Sequence, residues 1–247
     1  MLRRLAFSFL FAALAAQAEG PQPPKGGVEF QGASVRAMQA DTFSNPGLLW
    51  SARGEQLWGE RCSGCHGAVE SSMKGVAVRY PRFDPKLGRV VDLEQRINAC
   101  VERSPGGKAY AWESQELLGL TTLVAQQSRG MPFEVKVDGP AAATYARGRE
   151  IYFQRQGQLN VACTQCHDHN YGRTLLTETI SQGQPADWPA YRLEWQALGS
   201  LQRRLRACYF GVRAAVPDFG HPDLLALELY LADRARGLAT SPPGVRK

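Results

Sequence analysis

Two copies of one short motif carry the most specific chemistry in this sequence. They are Cys62-Ser63-Gly64-Cys65-His66 and Cys163-Thr164-Gln165-Cys166-His167. Two thiols about one helical turn apart can bond the two vinyl groups of a porphyrin, while the adjacent imidazole is presented to the iron. The spacing therefore predicts two covalently bound haem c groups. Each would be attached by the two cysteines of its motif and ligated by the histidine that follows them.

Other uses of paired cysteines fit this pattern less well. A redox dithiol is expected in a βαβ setting and has no need of the histidine that follows. A shared zinc site would have to join the two pairs, which lie far apart in the chain. Simple disulfides are the weakest of the three alternatives.

Two further cysteines, Cys100 and Cys208, follow the two motifs at matched positions. Each is preceded four residues earlier by an arginine, Arg96 or Arg204. A low-spin haem needs a second axial ligand, so a thiolate on each iron is the economical prediction. Two alternatives remain open, a disulfide between these cysteines and Met131 as the ligand of the first haem.

Arginines surround Cys208 much more densely than Cys100. Those near Cys208 are Arg203, Arg204, Arg206 and Arg213. Their field would stabilise a thiolate and attract a small anion, because a guanidinium binds oxyanions through two parallel hydrogen bonds. The alternative is a solvated helix face, or a set of partners for the haem propionates. Only Arg96 and Arg103 lie near Cys100, which favours the second site for chemistry and the first for electron relay.

The segments that position these residues form two tandem repeats. Each repeat has a helical stretch before its motif, a distal cysteine, and a leucine-rich stretch that ends in Arg-Gly. We place the first repeat at residues 46–136 and the second, with the active site, at 141–238. Helical patterns dominate both repeats. The predicted fold is mainly α, with two tandem cytochrome c-like haem modules.

The ends of the chain have their own composition. Residues 1–18 combine Arg3 and Arg4, an apolar run and a terminal Ala-Gln-Ala, which is typical of a secretory signal peptide and too short for a membrane anchor. This leader predicts export to a bacterial periplasm and no membrane span. Residues 19–45 are rich in Gly, Pro and Gln and predict an extended N-terminal arm, and residues 239–247 predict a flexible tail.

Charge and composition narrow the class of function further. The sequence has 247 residues, of which 44% are hydrophobic and 21% are charged, as in ordinary globular proteins. Its formal net charge of +6 is small and dispersed, which argues against a nucleic-acid binder. Small anions and acidic protein surfaces remain possible partners.

Taken together, these residues resemble the SoxA family, the dihaem cytochrome c subunits of the SoxAX complexes of bacterial sulfur oxidation. Two further segments carry the likeness, Arg129-Gly130-Met131-Pro132-Phe133 between the repeats and Arg192-Leu193-Glu194-Trp195-Gln196 before Cys208. The resemblance implies an L-cysteine S-thiosulfotransferase, which joins thiosulfate oxidatively to a cysteine of the carrier SoxYZ. Two electrons would leave through the haems to a cytochrome c acceptor, and a SoxX-type subunit would be the partner.

The resemblance also implies roles for particular residues. Cys208 would be the active-site cysteine, an axial ligand carried as a persulfide, with His167 as the opposite ligand. Arg204 matches the active-site arginine of the family. His66 and Cys100 would ligate the first haem, which in this family lies far from the reaction.

Two other functions fit part of the pattern. A dihaem electron carrier would use both distal cysteines as inert ligands and would show no sulfur transfer. A dihaem peroxidase would need an open iron and a histidine or methionine ligand elsewhere, and the second repeat has no methionine. The arginines near Cys208 favour the sulfur transferase over both.

Overall fold

The structure is a computed structural model that describes residues 23–104 and 106–247. The predicted signal peptide lies outside the described residues. Within them the arm and the first repeat contain six α-helices and two strands. These are α1 (Ala33–Ala40), α2 (Leu48–Arg61), α3 (Ser63–His66), α4 (Val69–Ser72), β1 (Arg82–Asp84), β2 (Arg89–Val91), α5 (Leu93–Val101) and α6 (Gln115–Gln126), with short 3-10 turns at Gly27–Phe30 and Ala77–Arg79.

The second repeat and the tail add four helices and five short strands within the described residues. These are α7 (Ala142–Phe153), α8 (Cys163–His167), β3 (Thr174–Leu175), β4 (Glu178–Thr179), β5 (Ala190–Arg192), β6 (Ala197–Gly199), α9 (Leu201–Gly211), α10 (Pro222–Arg234) and β7 (Gly244–Arg246), preceded by a 3-10 turn at Gly139–Ala141. The mainly α class predicted from the sequence is confirmed. None of the helices in the described part of the chain is long and apolar enough to cross a bilayer.

The same helix crossing occurs once in each repeat. Helix α2 packs against α6, and α7 packs against α10. Gly54 and Gly148, from the repeated Ala-Arg-Gly, lie at the two crossings. A Cβ atom on either glycine would collide with a backbone carbonyl of the facing helix, that of Gly119 or Ala226. Glycine is therefore required at both positions because the helix backbones touch.

Each crossing buries an apolar core that also contacts a haem-motif cysteine. In the first repeat the buried cluster includes Leu57, Trp58 and Leu123, and Cys62 packs against it. In the second repeat the buried cluster is Ile151, Tyr152, Ala226, Leu227, Tyr230 and Leu231, and Cys163 packs against it. The motif in each repeat is thus held against a core that its own helices form.

The C-terminal tail is an ordered strand, so the prediction of a flexible tail at residues 239–247 was wrong. Strand β7 is buried and pairs in parallel with β5, which also pairs antiparallel with β6. Arg246 forms a buried ion pair with Asp187 and donates to Gln39 Oε1 at 2.8 Å. Pro and Gly indicated a turn, but strand pairing and this ion pair stabilise the segment.

The N-terminal arm is not extended throughout. Its described residues, 23–45, form a 3-10 turn and α1, and Gln39 of α1 accepts from the backbone N–H of Val245 at 2.9 Å. The two ends of the described chain therefore hold each other. Local composition did not show this because the partners are far apart in sequence.

Three carboxyl groups, two of them buried and one half-buried, line a cavity of about 90 Å³ where the repeats meet. They belong to Asp92, Glu94 and Glu228, and Gln202 of α9 donates to Asp92 at 2.8 Å. Burial raises the pKa of Asp92 to about 7. Burial also raises the pKa values of Glu94 and Glu228, and the neighbouring carboxylates add to it.

Candidate active site

Helix α8 and the loop after it hold the imidazole of His167 in one orientation. The ring Nδ1 lies 2.8 Å from the carbonyl oxygen of Ser181. A carbonyl only accepts, so Nδ1 carries the proton and Nε2 keeps a lone pair for a metal. Gly183, with φ of 71°, leaves room for the ring, since a Cβ there would lie 2.9 Å from His167 Cγ.

Helix α9 brings Cys208 to this imidazole. The Cys208 thiol lies beside His167, and the thiols of Cys163 and Cys166 are close enough for their charges to interact with it. The structure thus places all four residues together. They lie on only two helices, α8 and α9.

The thiols in this site differ in acidity. Burial raises the pKa of Cys163 to about 12, and the nearby Cys208 charge adds to this effect. Burial also opposes ionisation of Cys208, but the charge of Arg204 outweighs it, and the neighbouring His167 and Arg192 contribute in the same direction. The net result lowers the pKa of the Cys208 thiol to about 7. Cys208 is therefore the thiol of this pair that is prepared to react as a thiolate.

Arg192 is a site residue that sequence reasoning did not single out. It lies on β5, is 4% exposed, and pairs with Glu194 at 2.8 Å and Glu178 at 3.5 Å. Its Nε is buried and has no hydrogen-bond partner among the described residues. In the sequence Arg192 was marked only as the first residue of the Arg192-Leu193-Glu194-Trp195-Gln196 segment that carries the family resemblance.

The three arginines of α9 have different surroundings. Arg203 lies 3.8 Å from Glu113 and stacks on Trp195, and Arg206 stacks on Phe219. The Arg204 guanidinium has neither a carboxylate nor an aromatic partner within the described residues. Arg204 precedes Cys208 by one helical turn, so the two side chains share a helix face. Arg213 lies beyond α9 and is exposed.

The first motif is built differently. Cys62 ends α2 and His66 ends α3, where the His66 ring lies 5.7 Å from the ring of Trp58. Burial raises the pKa of Cys62, and the charge of Cys100 on α5 is the next contribution, which places these two sulfurs near each other.

The structure bears on both alternatives to the distal cysteines as haem ligands, a disulfide between Cys100 and Cys208 and ligation by Met131. All six cysteines are free thiols, so the Cys100–Cys208 disulfide does not form here. The Met131 side chain packs against Gly75, where an added Cβ would lie 2.9 Å from the methionine Cε.

The donor sets present in both repeats fit haem c. Each repeat offers two free thiols on adjacent turns, an imidazole, and a further thiol from another helix. In the first repeat the Tyr110 hydroxyl is buried without a partner among the described residues, against the core that also contacts Cys62. An orphaned hydroxyl at this place fits a site that accepts a polar group of a cofactor.

Comparison with known proteins decides the family. The family model described as the SoxA/TsdA cytochrome c domain matches residues 48–133. The L-cysteine S-thiosulfotransferase subunit SoxA of Rhodovulum sulfidophilum is 35% identical over 229 residues, which cover 90% of this chain and 80% of that protein. The chain belongs to the SoxA family. Its SoxA relative from Paracoccus pantotrophus is 37% identical over 227 residues, covering 89% of this chain and 78% of the relative.

A solved structure agrees with this assignment. The crystal structure of SoxXA from P. pantotrophus superposes with a TM-score of 0.86 at 36% identity, covering 91% of this chain and 87% of that chain. The resemblance stated from the sequence is confirmed. As a SoxA family member with a cytochrome c domain, the chain is a c-type cytochrome that binds haem covalently.

Proposed function

We propose that this chain is the haem-bearing subunit of a periplasmic L-cysteine S-thiosulfotransferase. It joins thiosulfate to a cysteine of a SoxYZ-type carrier, works with a SoxX-type subunit, and passes electrons to a cytochrome c acceptor. The observation that carries the proposal is the position of Cys208, one helical turn after an unpaired Arg204 and beside His167. The names of the SoxA relatives support the same activity.

The reaction defines what the residues must do. A bond forms between a thiol sulfur and the terminal sulfur of thiosulfate, and one proton and two electrons leave. Haem c, when bound, supplies the electron acceptor that this oxidation needs. The Cys208 thiolate forms the bond first, and the carrier thiolate then attacks the sulfur that bears the sulfonate. Cys208 is released as a thiolate, so this exchange is redox neutral.

The side chains around Cys208 prepare both steps. Its lowered pKa, about 7, provides thiolate near neutral pH. Arg204 binds the sulfonate oxygens through its planar fork and holds the terminal sulfur toward the thiolate. Arg192 adds positive charge near the same sulfur.

We assign one haem c to each repeat. Cys163 and Cys166 attach the second haem, with His167 and Cys208 as its ligands. The first haem is attached by Cys62 and Cys65 and ligated by His66 and Cys100. The proximity of each distal cysteine to its motif supports this assignment, and for the first haem it favours Cys100 over Met131. Each repeat is thus a cytochrome c-like module.

The test compares Cys208→Ala with Cys100→Ala in the haem-loaded chain bound to its partner subunit. We expect both variants to keep both haems covalently attached. Cys208→Ala should lose thiosulfate-dependent turnover and the histidine/thiolate electron paramagnetic resonance signal of the second haem. Cys100→Ala is the matched control and should change only the signal of the first haem. Full turnover by Cys208→Ala would reject the catalytic assignment and favour a dihaem electron carrier.

A further inference from the structure

The loop between α5 and α6 reaches from the first repeat to the active-site helix α9. Glu113 in this loop is 16% exposed, and its carboxylate lies 3.8 Å from the guanidinium of Arg203. Both carboxylate oxygens of Glu113 also accept from the backbone N–H of Ser200, at 3.3 and 3.4 Å. Ser200 is the N-cap of α9. One side chain of the first repeat therefore holds both the start of α9 and the first of its arginines.

The backbone of Glu113 is unusual for its residue type. Its φ is 62°, in the left-handed region that residues other than glycine seldom adopt. Such conformations persist where surrounding contacts hold them. Here the contacts are those between the Glu113 carboxylate and α9.

The preceding residue, Trp112, holds Arg206, the last arginine of α9, through an aromatic stack. Trp112 lies nearly parallel to Phe219, with ring centroids 5.6 Å apart and an interplanar angle of 14°. Arg206 stacks on Phe219 at 4.3 Å from the ring centroid and donates to the carbonyl of Pro217. Two adjacent residues of the first repeat thus engage two of the three arginines on α9, one directly and one through Phe219.

We propose that Trp112 and Glu113 are positioning residues for the anion site at Cys208, acting by keeping Arg203 and Arg206 away from the substrate. Three free guanidiniums on one helix would offer an anion several competing positions. Holding two of them leaves Arg204 as the arginine that orients thiosulfate. This inference rests on the proposed function and adds a specificity role for residues outside the second repeat.

The loop is itself tied to α5, the helix that carries Cys100. Asn98 donates to the Tyr110 carbonyl at 2.9 Å and accepts from the Tyr110 N–H at 2.9 Å. These bonds fix the loop two residues before Trp112. The loop therefore contacts both helices that carry a distal cysteine.

The test uses variants that separate the carboxylate from the backbone. Glu113→Gly removes the carboxylate and suits the left-handed φ, and Glu113→Gln keeps an acceptor for Ser200 but loses the charge opposite Arg203. The matched control is Glu116→Gln, which removes a carboxylate that pairs with Arg53 at 3.5 Å on the same side of the first repeat. All are prepared with haem and with the partner subunit.

We expect Glu113→Gly to unfold near the wild-type temperature, because glycine relieves the left-handed φ while the carboxylate contacts are lost. Its kcat and its KM for thiosulfate should both fall, by up to about tenfold, because thiosulfate bound at the released Arg203 or Arg206 is held unproductively. Glu113→Gln should lie between this variant and the control. A wild-type KM in Glu113→Gly, or a raised KM at unchanged kcat, would overturn the proposal.

The aromatic contact is tested in the same way. Trp112→Phe keeps a ring for Phe219 and should retain the wild-type kcat and KM, whereas Trp112→Ala should lower both. Equal KM values for the two variants would contradict the role of the stack.

A binding measurement distinguishes failure of this inference from failure of the proposed function. Calorimetric titration with sulfate, an unreactive dianion, reports the anion site without turnover. If the wild type shows no thiosulfate-dependent turnover, the proposed function fails. The positioning role then stands if Glu113→Gly binds sulfate more tightly, or at more positions, than Glu116→Gln, and falls if it binds sulfate equally or more weakly.

Discussion

The arginine four residues before the distal cysteine has a different partner in each repeat. In the first repeat Arg96 forms an ion pair with Asp84 at 2.8 Å. In the second repeat Arg204 has no carboxylate within the described residues, and its charge lowers the pKa of Cys208. The same sequence pattern thus gives a neutralised arginine beside Cys100 and an available one beside Cys208. The Asp84 carboxylate neutralises Arg96, whereas Arg204 has no such partner among the described residues and can bind an anion.

The histidines of the two motifs differ in a similar way. His167 is held through Nδ1 by the carbonyl of Ser181, whereas His66 lies against the ring of Trp58. A fixed imidazole keeps one tautomer and a defined direction. The second repeat is therefore the more preorganised of the two sites, which agrees with its proposed role in chemistry.

The largest effect that this comparison predicts is at the two arginines. Arg204→Ala should lower kcat/KM for thiosulfate by about 10² to 10³, because a charge-assisted contact to the substrate is lost. Arg96→Ala should leave this value within about twofold, since Arg96 faces Asp84. Steady-state kinetics of the two variants measure the difference. Equal losses would remove the distinction between the repeats.

The second-largest effect is expected at the two helix crossings, where the repeats can be compared by their loss of stability. Gly54→Ala and Gly148→Ala each force a Cβ against a backbone carbonyl and should each destabilise the protein by about 1 to 3 kcal/mol. Denaturant unfolding followed by circular dichroism gives the free energies. Gly64→Ala, where a Cβ meets open space, is the control. A wild-type unfolding free energy in either crossing variant would contradict the close backbone contact.

The smallest effect is expected in the pH dependence of stability, which the carboxyl groups at the junction of the repeats produce. The raised pKa values of Asp92, Glu94 and Glu228 mean that the folded protein keeps protons that the unfolded chain has released. The stability that Asp92 contributes is complete below its unfolded pKa, about 4, and is lost as the pH rises through its folded pKa, about 7. Glu94 and Glu228 act in the same direction. Each group contributes up to about 1.4 kcal/mol per pH unit in this window.

Glu228→Gln should therefore make the unfolding free energy less dependent on pH above the ordinary pKa of a glutamate, about 4. Denaturant unfolding at several pH values compares this variant with the wild type. Glu134→Gln, a carboxyl away from the cavity lining, is the control. Parallel pH profiles for wild type and Glu228→Gln would show that this carboxyl keeps an ordinary pKa.

Much of the fold and the site could be predicted from local patterns. The two motifs, the repeated Ala-Arg-Gly and the offset from Arg204 to Cys208 are short-range features, and helix geometry converts them directly into positions. The tail was predicted incorrectly because its strand depends on β5 and on Asp187, which are distant in sequence. The engagement of Arg203 by Glu113 was likewise invisible, since it crosses between repeats.

The sequence by itself determined which residues could carry the chemistry: the haem attachment motifs, the two distal cysteines, the arginines near Cys208 and the family to which they belong. Tertiary structure decided which of the equivalent residues are available to react. Arg96 and Arg203 are engaged by Asp84 and Glu113, while Arg204 is not. The physical reason is that the charge field at a thiol depends on every group nearby in space, and residues distant in sequence supply most of those groups.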